Sequence, residues 1–400
     1  MVRLFTLLCS VWWRFMMVSV GLLLGSQVAC AQAAQAPVEV RVPFAPSPVT
    51  GSDGLVHVAY ELHVTNYYSS TGTLHLQHVT VLEDKTSRVL ANFTAVQVNS
   101  LLAHPAEKAD TTGVVLEAGK RVVLFLWLTL PPGRPHPRLL RHQLAFTTSN
   151  GARQLVDGVR TSIVTAPPIA LDAPLRAGPW LTHEGPGNPY AHHWNGIVVV
   201  NGQTTIPQRY AIDFFGLTPD GHALRRVSLE QLKTSAHADW VGFGADVLAA
   251  ADGIVRDMRD GEPNQAVLAS PSSPTDVTER TLMGNFVVLE VAPRVFVHYG
   301  HLQPGSVQVK VGDRVRRGAV LGRLGQSGNA NAPHLHFLVS NSAAFEESEG
   351  LPFVFRAFDC LGSAKIHQVL NQAEQVTIEP RFQKSSRQQL PLDGSVVTFK

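Results

Sequence analysis

The sequence is short of charge. Lys, Arg, Asp and Glu make up only 16% of its 400 residues, and they nearly cancel to a formal +2. So small an excess gives no argument for nucleic acid or an anionic membrane surface as a partner. Cysteine is scarcer still. Cys9, Cys30 and Cys360 are the whole complement, and no two share a CxxC spacing. That argues against both a thiolate zinc site and a disulfide framework. Low charge together with 44% hydrophobic residues also excludes general disorder, because the chain has enough apolar surface to build a sizeable core. A length of 400 residues then predicts two or three domains.

The first 35 residues read as an export leader. Arg3 and Arg14 supply positive charge, and Phe15 to Leu24 is an uncharged apolar run too short to span a membrane comfortably. Ala29-Cys30-Ala31 and Ala31-Gln32-Ala33 offer small-residue cleavage sites. The alternative is an uncleaved anchor, since Leu4 to Trp13 is also apolar. Cleavage leaves Cys360 alone, which suits an oxidising compartment where pairing is not used.

From 38 to 166 the chain reads as a β-sandwich of immunoglobulin-like type. Val56 to Val64 alternates, and Leu74 to Leu82, Val114 to Leu116 and Arg121 to Leu130 follow between polar turns. No catalytic constellation is evident there. His57, His63, His75 and His78 are best explained as alternating positions on a solvent face. This part is expected to be an accessory domain that takes a wall hydrolase or another envelope protein as its partner. A proline-rich passage, 167–177, reads as a linker. The second domain is placed at 178–400. Within it, Gly244 to Met258 and Val309 to Gly322 are each predicted to form a hairpin, and 263–281 a loop beside the site.

The chemistry concentrates between Tyr299 and Phe337. Pro333-His334-Leu335-His336-Phe337 is apolar and bounded by turn residues, which predicts a strand. Residues two apart on a strand share a face, so His334 and His336 project together while Leu335 points to the core. Alone, a His-x-His is more often structural. Its company raises it. Upstream, Gln208-Arg209-Tyr210-Ala211-Ile212-Asp213-Phe214 surrounds one carboxylate with apolar neighbours, and a buried Asp must be paired, hydrogen-bonded or metal-bound. Before it stands His192-His193-Trp194. Histidine, aspartate and a closing-strand histidine make an N/O set suited to zinc, with the fourth position left to water.

Together these motifs resemble the lysostaphin-type, LytM-like zinc metallopeptidases, which hydrolyse peptide cross-links of bacterial peptidoglycan. The residues that carry the resemblance are Arg209-Tyr210-Ala211-Ile212-Asp213, Asp246-Val247-Leu248-Ala249, Asp252-Gly253-Ile254-Val255, Tyr299-Gly300-His301-Leu302, Gly325-Gln326-Ser327-Gly328 and Pro333-His334-Leu335-His336-Phe337. The resemblance covers about Gly178 to Ala343. The resemblance implies an all-β fold: the sandwich followed by an antiparallel sheet of barrel-sandwich type. It also implies Zn2+ held by Asp213 and His336, with His301 and His334 serving catalysis, and a peptidoglycan peptide as substrate in the periplasm or envelope. One position departs from the pattern. Where the family has its first histidine, four residues before the aspartate, this chain has Arg209. The replacement ligand is expected to be His193, with His192 in reserve. Without either, the domain would be a non-catalytic member that binds the wall or activates another hydrolase.

Overall fold

Alternation in Val56–Thr65 and Arg121–Leu130 sets the first layer. In the computed structural model, these two strands pair antiparallel along their whole length, with Ala59 opposite Trp127 and Glu61 opposite Phe125. The structure describes residues 34–103, 113–133, 135–225, 228–268, 278–366, 377–380 and 383–400. Even-numbered side chains of both strands, among them Val58, Leu62, Leu124 and Leu126, enter one core. Facing them is a second sheet in the order Ala34–Gln35, Arg153–Ser162, Leu139–Thr148, Leu74–Glu83 and Val89–Phe93, with Val114–Leu116 also pairing Leu74–Glu83. It contributes Leu74, Leu76, Leu140 and Leu144 to the same core. The sandwich expected for this stretch is therefore present as two sheets over one core. Residues 1–33 of the expected leader and 269–277 of the expected loop lie outside the described residues.

The odd-numbered face departs from the sequence expectation. His57 and His63 are 2% and 6% exposed, and Glu61 is 3%. Only His78 of the four histidines is exposed, with His75 half-buried. A second core explains this. Ala59 and Phe125, on the outer face, pack with Trp194, Tyr210 and Phe355 of the C-terminal part. The sheet is buried on both sides, and its outward polar groups are satisfied by partners rather than water. His57, for example, stacks on Trp127 and reaches the Asp53 carboxylate at 3.1 Å.

The C-terminal part is built on an open eleven-stranded sheet. At its centre, Trp180–His183, Ile212–Gly216, Leu335–Ser340 and Val295–Gly300 lie side by side, all antiparallel. The expected linker is part of this sheet. Ile169–Leu171 pairs in parallel with Phe353–Ser363. The end of the chain also joins it, through Ser395–Thr398 on Trp180–His183 and Phe353–Ser363. Neither predicted hairpin forms. Asp246–Leu248 pairs with Val320–Arg323, and Gly253–Arg259 pairs with Phe286–Ala292 and Arg314–Val315. The two turn-bearing segments exchange partners: the chain passes from Asp246–Leu248 in one sheet to Gly253–Arg259 in another at Asp252-Gly253, and passes back between Arg314–Val315 and Val320–Arg323 through residues 316–319. Among the described residues no helix is long and apolar enough to cross a membrane.

Candidate metal centre

The sheet register makes the site. Asp213 lies directly opposite His336, and His336 directly opposite Gly300, so three neighbouring strands bring Asp213, His336 and the His301 turn to one level. Leu335 points the other way and is fully buried in the core, as strand alternation requires. His193 comes from outside the sheet, on the single helical turn His192–Asn195. The donor atoms of His193, Asp213 and His336 all lie within 4.8 Å of one another. All three are at least 94% buried.

The imidazoles are oriented from behind by carbonyl oxygens. His193 Nδ1 donates to the Glu184 carbonyl at 3.0 Å, His301 Nδ1 to Ser327 at 2.7 Å, and His334 Nδ1 to Ala332 at 2.8 Å. Each bond fixes the tautomer and leaves Nε2 with a free lone pair. His336 Nδ1 meets Asp213 Oδ1 at 2.7 Å. His193 Nε2 and His334 Nε2 stand 3.8 and 3.4 Å from Asp213 Oδ2. His334 is also stacked on Phe215, centroids 4.8 Å apart.

Electrostatically the cluster favours uncharged rings. Burial pushes His301, His334 and His336 down to about 3, and lowers His193 well below the usual imidazole value. Burial raises Asp213, against the opposing pull of His334 and its neighbours. His336 Nε2 is buried without a hydrogen-bond partner. A buried orphan nitrogen is unfavourable unless something binds nearby. Two neutral imidazoles and a carboxylate are also the donor types of an open, three-ligand zinc site. The residues present fit the metal.

His192 is placed differently. Its side chain is 71% exposed, and its ring is held by the Glu184 carboxylate at 3.0 Å. Of the sequence candidates, the structure brings His193, Asp213, His301, His334 and His336 together and sets His192 at the rim. All six line one cavity of about 490 Å³, shared with Gln208, Met283 and Asn331. Tyr299 belongs to the core, where its hydroxyl accepts from the Ala250 N–H at 2.8 Å.

His301 has φ +60, uncommon for a residue with a Cβ and costing about 1–3 kcal/mol. Its own N–H to Met283 O, at 2.8 Å, and its carbonyl to Gly325 N–H, at 2.9 Å, hold it there. Backbone contact between 282–285 and 327–329 supports that turn. A Cβ on Gly328 would fall 2.4 Å from Gly284 N, so the approach requires glycine. Ser327 completes the support, its Oγ donating to Leu302 O and accepting from Asn285 N–H. The sequence marks the Gly325-Gln326-Ser327-Gly328 run as a whole, but not the bracing role of Ser327, nor Phe215 or the Glu184 carbonyl. Carbonyls carry no sequence signal, and Phe215 reads as ordinary core.

Comparison with known proteins gives the following. Residues 239–346 match the model described as Peptidase family M23. A 155-residue stretch is 28% identical to the peptidoglycan DD-endopeptidase ShyC of Vibrio cholerae serotype O1, covering 38% of this chain and 30% of that protein. The match thus spans less than a third of the curated relative. Among solved structures, a catalytic-domain mutant of the prophage-encoded M23 protein EnpA from Enterococcus faecalis is 17% identical, over 44% of this chain and 92% of that one, with a TM-score of 0.24. The catalytic domain of lysostaphin from Staphylococcus simulans is 23% identical, over 38% and 78%, with a TM-score of 0.21. A zinc-containing peptidase from Vibrio cholerae is 16% identical, over 79% and 85%, with a TM-score of 0.24.

Proposed function

We propose that this chain, which carries a LytM-like peptidase domain of family M23, is an exported zinc-dependent endopeptidase that cuts peptide cross-links of bacterial peptidoglycan. The observation that supports it most is the buried convergence of His193, Asp213 and His336, with two further neutral histidines beside them. In this reading His193, Asp213 and His336 hold Zn2+. The bound ion supplies a Lewis acid that lowers the pKa of a water and polarises the scissile carbonyl.

The chain's own groups do the rest. His301 and His334 stand with ring centroids 4.6 Å apart, each presenting an unprotonated Nε2 to the cavity. One such nitrogen can take the proton of the attacking water, and once protonated it can hydrogen-bond the oxyanion and return a proton to the leaving amine. Phe215 keeps His334 in plane for that exchange by stacking. The burial of both rings strengthens each of these interactions relative to water. The relative's printed activity supports peptidoglycan as the substrate and the cell envelope as the location. A non-catalytic wall-binding or hydrolase-activating role is the second reading. It is disfavoured by the retention of all five convergent side chains.

Two expected outcomes test the reading. Chelation should abolish release of new amino groups from purified peptidoglycan, and added zinc should restore it. Full turnover with metal shown to be absent would overturn the zinc mechanism, and stoichiometric wall binding without turnover would favour the second reading. His193→Ala should lose bound zinc while His192→Ala keeps it, measured as metal content of the purified proteins. The reverse result would move the ligand to the rim residue.

A further inference from the structure

Two of the three ligand positions are fixed by a sheet, but the third is not. Asp213 and His336 are paired in register on central strands. His193 sits on a single four-residue helical turn whose N-cap, Ala191, provides no side-chain cap. So short a helix does not persist on its own, and its position must come from tertiary packing. Glu184 holds its histidine end, and the N-terminal sandwich packs its other end. Trp194, the residue after His193, is 4% exposed and wedged between Phe125 and Trp127, with ring centroids at 6.0 and 5.9 Å. Both aromatics lie on the outer face of Arg121–Leu130. Asn195 Nδ2 then donates to the Ala103 carbonyl at 2.8 Å, closing the other end of the turn on the sandwich. Trp127 is itself braced, stacked on His57 at 4.9 Å, and His57 is tied to Asp53 and Thr129.

We propose that the sandwich is a structural part of the metal site: Trp127, with Phe125 and the Ala103 carbonyl, positions His193 toward Asp213 and His336. These are positioning residues and touch neither metal nor substrate. The proposal rests on the zinc reading above. It gives the N-terminal part a role in the chemistry that a tethered accessory domain would not have. It also accounts for the paired burial of the sheet, whose outer face is occupied by the ligand-bearing segment.

The test uses the full chain loaded with zinc. Zinc affinity is measured by competition with a chromogenic chelator, and thermal unfolding is followed on the metal-stripped proteins. Trp127→Ala should bind zinc roughly 10–100-fold more weakly, the range for groups that orient a ligand. Trp127→Phe should recover most of that loss, because it restores an aromatic wall. Asn195→Ala should weaken binding roughly two- to tenfold, by removal of one hydrogen bond. Leu128→Ala is the control. Leu128 is on the same strand as Trp127 but faces the inner core, so its loss destabilises the sandwich without touching the Trp194 contact. It should lower the unfolding temperature and leave zinc affinity unchanged.

Equal zinc affinity in Trp127→Ala, Asn195→Ala and the unsubstituted chain would overturn the proposal. So would a loss in Leu128→Ala as large as in Trp127→Ala. Should Trp127→Ala fail to fold, Asn195→Ala decides, since it removes one bond at a half-buried position. Absence of zinc from the unsubstituted chain would instead overturn the zinc reading itself, and the positioning role with it.

Discussion

His336→Ala is expected to lose its zinc, whereas His334→Ala and His301→Ala are expected to keep it and turn over at least roughly a hundredfold more slowly. The asymmetry follows from the geometry. His336 is one of three residues whose donor atoms converge, and it is joined to Asp213 at 2.7 Å. Removing it leaves two protein ligands, too few for a stable catalytic zinc site. His334 and His301 lie outside that triad, so their loss leaves it intact. Their proposed contribution is proton handling, typically worth ~10²–10⁴-fold. Metal content and peptidoglycan hydrolysis measured on the same preparations separate the two roles. Zinc lost from His334→Ala but retained by His336→Ala would reverse the ligand assignment. Retention of both metal and activity in both variants would make the His-x-His structural and end the enzyme reading.

Arg209→Met should destabilise the fold by about 3–5 kcal/mol, the usual result of removing one partner from a buried ion pair. Arg209 is 4% exposed, and its Nη1 donates to Glu61 of the sandwich at 2.6 Å while its Nε donates to Glu349. Burial alone would lower its pKa, but the two carboxylates override this and raise it. Glu349 is raised by burial, against the attraction of Arg209. Without the guanidinium, two carboxylates would stay buried and unpaired, one on each side of the junction. Unfolding in denaturant measures the loss. Arg209→Met combined with Glu61→Gln and Glu349→Gln should recover much of it, because no uncompensated charge then remains. A single substitution that costs under about 1 kcal/mol would show that the triad is not buried as a unit. The position where the resemblance expects a ligand is thus used here to join the two parts of the chain.

Most of the candidate site can be read from the sequence by itself. Asp213, His301, His334 and His336 are legible because each sits in a short motif whose local geometry is set by strand periodicity and turn residues. The same periodicity marked the inner face of the sandwich, where Val58, Tyr60, Leu62 and Val64 alternate with other residues. It could not mark the outer face. His57, Glu61 and His63 are polar, and a polar residue satisfied by a buried partner leaves the same pattern as one satisfied by water. Local pattern also failed for strand pairing around Asp252-Gly253 and Gly312-Asp313. A Gly-bearing turn fixes where the chain bends, not which strand receives the next hydrogen bonds.

Tertiary structure is what distinguishes the adjacent histidines. His192 and His193 have the same chemistry and lie one residue apart. One turn of helix points them about 100° apart, and the packing of Trp194 on the sandwich together with the bonds of both rings to Glu184 turns His193, not His192, toward Asp213.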